Sequence, residues 1–278
     1  MASKALVLGG GGGTGVAWEI GIVYGLKQAG IELDAADGII GTSAGAMVGA
    51  QIRQRKNFVQ LWQAQVQIAE AGGNNPVRIA DPATTQKMMD LLASSTELTA
   101  DVRVRIGGWA LEAKAQPAET FVGTITKGLG ETWPDKLLQA TGVDVEDGSV
   151  VAFDKDSGVP LGTAVAISMS VPGMVMPIPA AGRRYMDGGM AGTNIRLARG
   201  YDVVLAVVTR DEARSQAEVE ALRTAGAKVV YLPPDAASAR ALGETPAERF
   251  STARRGPAAQ EGARQAEVAA AEIRTIWG

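Results

Sequence analysis

The sequence has no histidine and no cysteine among its 278 residues. Without an imidazole, every mechanism that relies on a histidine base, acid or ligand is excluded. Without thiols there is no disulfide and no thiolate, and with both residue types missing the usual zinc sites are excluded too. The missing cysteines leave the redox compartment open, with a lean to the cytoplasm. Basic charge is not in excess: 27 Lys and Arg face 30 Asp and Glu, a net charge of -3. That balance gives no sign of a nucleic-acid partner. Long apolar runs are also lacking. None approaches the roughly 18 residues a spanning helix needs. The apolar residues between Lys4 and the first glycine are too few for a signal-peptide core. The chain reads as soluble and cytoplasmic, a reading compatible with peripheral contact to a membrane.

What is present suits one large α/β domain. Hydrophobic residues make up 46% of the chain, enough for a sizeable core. Ala5 to Leu8 is a short apolar run bounded by glycine, as in a buried strand. Val16 to Ala29 then reads as a helix, with Gly30 as its C-terminal cap. Gly38 to Gly41 reads as a second buried strand and Ala44 to Arg55 as a second helix. This β-α-β-α opening implies a parallel sheet covered on both faces. From about 56 to 140 the texture turns helical. Ile52, Val59, Trp62 and Val66 keep an amphipathic spacing, and Thr84–Leu92 and Trp109–Ala115 are further helix candidates. Asn74-Asn75-Pro76 and Asp81-Pro82 punctuate the stretch. Strand signals return at Val150–Phe153, in a pair of short strands turning at Ala181-Gly182, at Val203–Val208 and at Ala227–Leu232. Thr245-Pro246 reads as an N-cap with a first-turn proline. The C-terminal stretch from about 247 to 278 reads as helix, interrupted at Arg254-Arg255-Gly256-Pro257.

Two motifs carry chemistry. Residues 9 to 15 read GGGGGTG, between the first strand and the first helix. Gly41-Thr42-Ser43-Ala44-Gly45 is a G-x-S-x-G at the second strand-to-helix turn, where a nucleophile elbow holds a serine in a strained backbone. The same residues also suit a loop that merely caps a helix. A histidine-based triad is excluded by composition, and Ser-x-x-Lys is absent because Ala46 holds that place. A base must come from another residue type, and a carboxylate is the natural one once desolvation raises its pKa from about 3.9. Tyr185-Met186-Asp187-Gly188-Gly189 offers Asp187 at a strand end, with two small residues behind it. An ordinary Asp-Gly turn fits that segment as well.

Taken together, the glycine loop after the first strand, the G-x-S-x-G after the second and the late D-G-G resemble the patatin-like phospholipase family. Ser170-Val171-Pro172-Gly173 and Pro177 resemble that family's approach to its aspartate. The likeness covers about residues 5 to 55 and 150 to 210. It implies a three-layer α/β/α sandwich with a mostly parallel sheet, forming a single domain over 1–278 with the helical stretch as an insert. It implies acyl-ester hydrolysis by a Ser-Asp dyad, with Ser43 as nucleophile and Asp187 as base. The amides of Gly10, Gly11 and Gly12 would form the oxyanion hole, and Gly15, Gly41, Gly45, Gly188 and Gly189 would shape the motifs. The substrate would be a lipid or another acyl ester, with no cofactor and no metal. The family loop often carries Arg or Lys before its last glycine; here Thr14 stands there.

Two rivals remain at the level of sequence. Gly10-x-Gly12-x-x-Gly15 satisfies a dinucleotide fingerprint, but the second strand ends in Gly41-Thr42-Ser43 rather than in an acidic residue. A lipid-binding module with an idle dyad is the other. Trp18, Trp62 and Trp109 read as core. Met169, Met174, Met176, Met186 and Met190 suit either an acyl pocket or core packing. Arg183-Arg184 reads as a solvated turn, and Asn194 as a support of the D-G-G loop.

Overall fold

A computed structural model describes residues 2–70 and 79–277, with Ala69 and Glu70 as backbone only. Asn74-Asn75-Pro76 lies outside the described residues. In chain order the elements are β1 (Lys4–Leu8), α1 (Gly12–Gln28), β2 (Gly38–Gly41) and α2 (Ala44–Arg53). Four helices follow: α3 (Phe58–Glu70), α4 (Pro82–Ser94), α5 (Ala100–Glu112) and α6 (Ala118–Leu129). Then come β3 (Leu137–Asp144), β4 (Val150–Phe153), α7 (Leu161–Ser168), β5 (Ile178–Ala180) and β6 (Arg183–Asp187). The chain closes with β7 (Val203–Val207), α8 (Ala213–Thr224), β8 (Lys228–Leu232), α9 (Ala236–Leu242), α10 (Pro246–Arg249) and α11 (Arg255–Trp277).

The strands form one sheet in the order β5-β6-β3-β2-β1-β7-β8, with β4 paired to β3. The run from β3 to β8 is parallel, while β4, β5 and β6 pair antiparallel. Side chains alternate across this sheet as the two-residue strand period requires. Leu6 and Leu8 of β1, Ile39 of β2 and Val203, Leu205 and Val207 of β7 face α1, α2, α7 and α11. Ala5 and Val7, Ile40, Val204 and Ala206 face α8 and the 3-10 turn Ile195–Ala198. Further along, Val143 and Met186 meet α4 and α5 on that second face. With both faces covered, β2 and β7 are apolar throughout and β1 is apolar from Ala5 to Leu8, which makes them legible as buried strands. The result is a three-layer α/β/α arrangement. No helix among the described residues is long and apolar enough to cross a membrane.

Several expectations shift in detail. α1 begins at Gly12, four residues before the expected start. Glycine is a poor helix former, but Thr14 and Gly15 are buried, and packing overrides propensity. Ile52 and Val59 share an amphipathic register yet belong to two helices. Arg55 takes a left-handed φ of 52°, and the Asn57 side chain then caps the amides of Val59 and Gln60. Asp81-Pro82 is a helix start rather than mere punctuation: Asp81 accepts from the Thr84 amide at 3.1 Å. β3 begins at Leu137, inside the stretch read as helical. Arg183 and Arg184 lie in β6, after the Ala181-Gly182 turn, and both are held by carboxylates; Arg183 Nε stands 2.6 Å from Asp144. Arg254–Pro257 does break the C-terminal helix, since α11 starts at Arg255 with Pro257 in its first turn, where a proline costs no hydrogen bond. Thr245 closes a capping box with Glu248.

Candidate active site

The site forms where β1, β2 and β6 end. β2 passes into α2 through Ser43, whose φ of 53° and ψ of -112° lie outside the regions a side chain favours. That strained turn projects the side chain away from the sheet. The Ser43 side chain makes no capping bond to α2, so its hydroxyl is not spent on the helix end as the capping alternative required. The turn is fastened from several sides. Ser43 N–H donates to Ser168 Oγ at 2.8 Å. Gly45 N–H donates to Gly9 O at 2.9 Å, tying the elbow to the glycine loop.

The glycines of the motif are steric requirements. A Cβ at Gly45 would sit 2.2 Å from Leu8 O, and one at Gly41 would sit 2.5 Å from Ala46 Cα. Only with these two positions bare can α2 pass so close to β1 and β2. Gly15 packs beside Ala44, the first residue of α2. The glycine loop itself comes alongside the elbow: a Cβ on Gly10 would stand 3.3 Å from Ser43 Cβ. The N–H groups of Gly10, Gly11 and Gly12 donate to no backbone acceptor among the described residues. They lie at the start of α1, where the helix dipole favours negative charge.

Asp187 closes the site from the antiparallel side. It ends β6, opposite Gly142 of β3, and its amide donates to Ser170 O at 3.1 Å. The chain then turns sharply over Thr141. A Cβ at Gly188 would lie 2.1 Å from Thr141 Oγ1, so the second residue of D-G-G must be bare. Gly189 N–H donates to Asp187 Oδ1 at 2.7 Å. Asp187 is 2% exposed and Ser43 7%. Burial pushes the Asp187 carboxyl up to about 7, against hydrogen bonds from the Gly189 amide and the Ser43 side chain that pull it down. A carboxyl held there is a competent proton acceptor near neutral pH.

Behind the pair stands a polar hub. Asn194, in a left-handed conformation at φ 58°, donates to Thr42 Oγ1 at 3.1 Å and to the carbonyls of Gly188 and Gly192, each at 3.2 Å. Thr42 and Thr141 share a hydrogen bond of 2.9 Å. The D-G-G loop and the elbow are thus pinned to one amide side chain, as expected for Asn194.

Ser43, Asp187, Gly189 and Gly10 to Gly12 line one cavity of about 720 Å³. Gly15, Gly41, Gly45 and Gly188 shape the backbone behind it. The apolar wall comes from Met88, Met89 and Leu92 of α4, with Val171, Met190 and Phe250. Of the five methionines near the aspartate, only Met190 faces this space among the cavity-lining residues; Met186 is core, and Met169 packs against the core. Trp18 is fully buried, Trp62 stacks on Tyr24 at 4.7 Å, and Trp109 packs in the α4–α5 core. Sequence reasoning missed Ser168, Thr209, Met88 and Arg249, which arrive at the site from distant segments without a local pattern.

Comparison with known proteins finds relatives of this chain. The patatin-like phospholipase family model matches residues 6–198. Lysophospholipase NTE1 of Chaetomium globosum is 28% identical over 214 residues, which is 74% of this chain and 12% of that protein. The chain therefore spans about an eighth of the length of that curated relative. Among solved structures, VipD from Legionella pneumophila overlaps 98% of this chain and 67% of its own, at 13% identity and a TM-score of 0.49. ExoU in its complex with SpcU from Pseudomonas aeruginosa overlaps 96% and 52%, at 15% identity and a TM-score of 0.37. The family match takes in the glycine loop, Ser43 and Asp187 together, and on it this chain belongs to the patatin-like phospholipase family.

Proposed function

We propose that the chain is a serine acyl-ester hydrolase, a lipid acyl hydrolase of phospholipase A type, with Ser43 as nucleophile and Asp187 as its base. Family membership supports a lipid as substrate. The observation that carries the rest is a buried carboxyl, raised to about 7, beside a serine on a left-handed elbow.

In this reading Ser43 Oγ attacks the ester carbonyl carbon while its proton passes to Asp187. The new oxyanion accepts hydrogen bonds from the Gly10–Gly12 amides, and each such donor is worth roughly 3 kcal/mol in the transition state. The carbonyl re-forms, the alcohol leaves, and Asp187 returns the proton to it. Water then attacks the acyl-enzyme as Asp187 takes its proton, the bond to Ser43 Oγ breaks, Asp187 returns the proton to Oγ, and the fatty acid departs. The apolar wall of α4 would hold the acyl chain. A lysophospholipid, the lipid class for which the Chaetomium globosum relative is named, is the substrate we favour. A cytoplasmic location with peripheral contact to a membrane belongs to the same proposal.

The test is hydrolysis of a p-nitrophenyl ester series. Ser43→Ala and Asp187→Asn should each lose at least about 10²-fold in kcat/KM, with unchanged far-ultraviolet circular dichroism. Wild-type rates in either variant would refute the dyad.

A further inference from the structure

The loop that carries the oxyanion donors has no side chains of its own to aim them. Gly9 to Gly13 are all bare, and a run of glycines gives up much conformational freedom when it is fixed. Its neighbours must therefore hold it in place. β1 lies between β2 and β7 in the sheet. The loop accordingly leaves β1 with Ser43, just past β2, on one flank and Thr209, just past β7, on the other. Both flanks touch it. A Cβ on Gly10 would stand 3.3 Å from Ser43 Cβ, and one on Gly11 would stand 2.7 Å from Thr209 Cγ2.

Three loop carbonyls are tied down. Gly9 O accepts from the Gly45 N–H at 2.9 Å, and Gly11 O accepts from the Gly15 N–H at 3.0 Å. Gly10 O, between them, accepts from the Thr209 hydroxyl, and this is its one hydrogen bond among the described residues. Thr209 is itself held. It is 2% exposed, and its carbonyl accepts from Arg249 Nη2 of α10 at 3.2 Å. A peptide unit is planar, and no cis bond occurs among the described residues. The C=O of Gly10 and the N–H of Gly11 therefore point to opposite sides of one rigid plate. With Gly10 O drawn to Thr209, the Gly11 N–H turns from the β7 flank toward the Ser43 flank. There it meets no backbone acceptor, and both residues line the cavity.

We infer that Thr209 is a positioning residue for the reaction: its hydroxyl locks the Gly10–Gly11 peptide with the Gly11 N–H toward the oxyanion. The inference rests on the hydrolase reading and adds to it a residue beyond the family match at 6–198. The hydroxyl proton is committed to Gly10 O, so Thr209 acts through the loop rather than on the substrate. A peptide between two glycines can flip without a side-chain clash. Flipped, it would set a carbonyl oxygen where the N–H should be, and that oxygen would repel the developing charge instead of stabilising it.

The test compares p-nitrophenyl butyrate turnover with inhibition by two ligands of one chain length, an alkyl trifluoromethyl ketone and the matching secondary alcohol. Ser43 Oγ adds to the ketone carbon, its proton passes to Asp187, and the ketone oxygen becomes an oxyanion; the alcohol forms none. Thr209→Val swaps the hydroxyl for a methyl of like size. It should lower kcat at least about tenfold with KM within about twofold. It should weaken the ketone by a similar factor and leave the alcohol unchanged. Thr209→Ser should bring both quantities back to within about threefold of the unaltered protein. Thr209→Ala should show the same selective loss, and it covers the case in which Thr209→Val does not fold. An unchanged kcat in Thr209→Ala, a loss confined to KM, equal weakening of ketone and alcohol, or a Thr209→Ser as impaired as Thr209→Ala overturns the inference. Each would make Thr209 a part of the fold or the cavity wall and leave the hydrolase reading standing. If the unaltered protein neither turns over the ester nor prefers the ketone to the alcohol, the hydrolase reading itself fails and takes the inference with it.

Discussion

Replacing Asp187 by asparagine should make the protein more stable than wild type as the pH rises, while removing its activity. The Asp187 carboxyl is buried and raised to about 7, against about 3.9 in an unfolded chain. A group raised on folding contributes its stability fully below the unfolded value, and loses it as pH climbs through the folded value. Wild type should therefore lose stability relative to Asp187→Asn from about pH 4 to about pH 7, then run parallel to it. A displacement of about three pH units corresponds to about 4 kcal/mol at pH 8, and to about 2 kcal/mol at pH 5.5. For a chain of this length, about 4 kcal/mol moves the melting temperature by about 7 °C. The substituted amide keeps an oxygen to accept from the Gly189 N–H, and its altered bond to the Ser43 side chain adds the same offset at every pH, so the pH-dependent part of the comparison isolates the charge. Glu19, fully buried in α1 and also raised by its burial, titrates alike in both proteins and cancels. The assay is urea unfolding of both proteins at half-unit steps from pH 4.5 to 8.5. In wild type the acidic limb of kcat/KM should fall at the same pH, about 7, because the ionised form that costs stability is the form that accepts the proton. Stability curves for the two proteins that stay parallel throughout would refute the reasoning.

Two other substitutions probe the scaffold. Ser168→Ala strips the acceptor from the Ser43 amide, leaving a buried N–H unpaired at a cost of about 1–3 kcal/mol; steady-state kinetics should show kcat down about tenfold with KM nearly constant, and an unchanged kcat would mean that the elbow holds itself. Asn194→Ala removes the donor shared by Thr42, Gly188 and Gly192 and puts a left-handed φ on alanine. Denaturant unfolding should show a loss of about 2–4 kcal/mol, and a loss under about 0.5 kcal/mol would remove the hub from the account.

Much of this is legible in the sequence, for a physical reason. β2, β7 and β1 from Ala5 onward are buried on both faces, so these runs are apolar and stand out from their surroundings. The bare positions Gly41, Gly45 and Gly188 are demanded by backbone contacts under 2.6 Å, and such demands leave fixed motifs. The absence of histidine turns attention from a triad to a carboxylate, and the acid falls at a strand end where burial raises it. Helix boundaries are less legible. Arg55 breaks α2 from α3 through a single left-handed residue, and no change of hydrophobic period announces it. The stretch Trp109–Ala115 covers only the end of α5, because Thr99 caps that helix ten residues earlier. Ser168, Thr209 and Arg249 carry no signal at all, since each acts on a partner far along the chain. Ser168 meets Ser43 across 125 residues, and Thr209 meets Gly10 across 199.

Covalent labelling tests the dyad most directly. A fluorophosphonate probe, followed by peptide mass spectrometry, should modify one residue per chain, Ser43, and its rate should drop at least about 10²-fold in Asp187→Asn. Modification of a different serine, no modification, or an undiminished rate in Asp187→Asn would contradict a nucleophile at residue 43 served by a lone carboxylate.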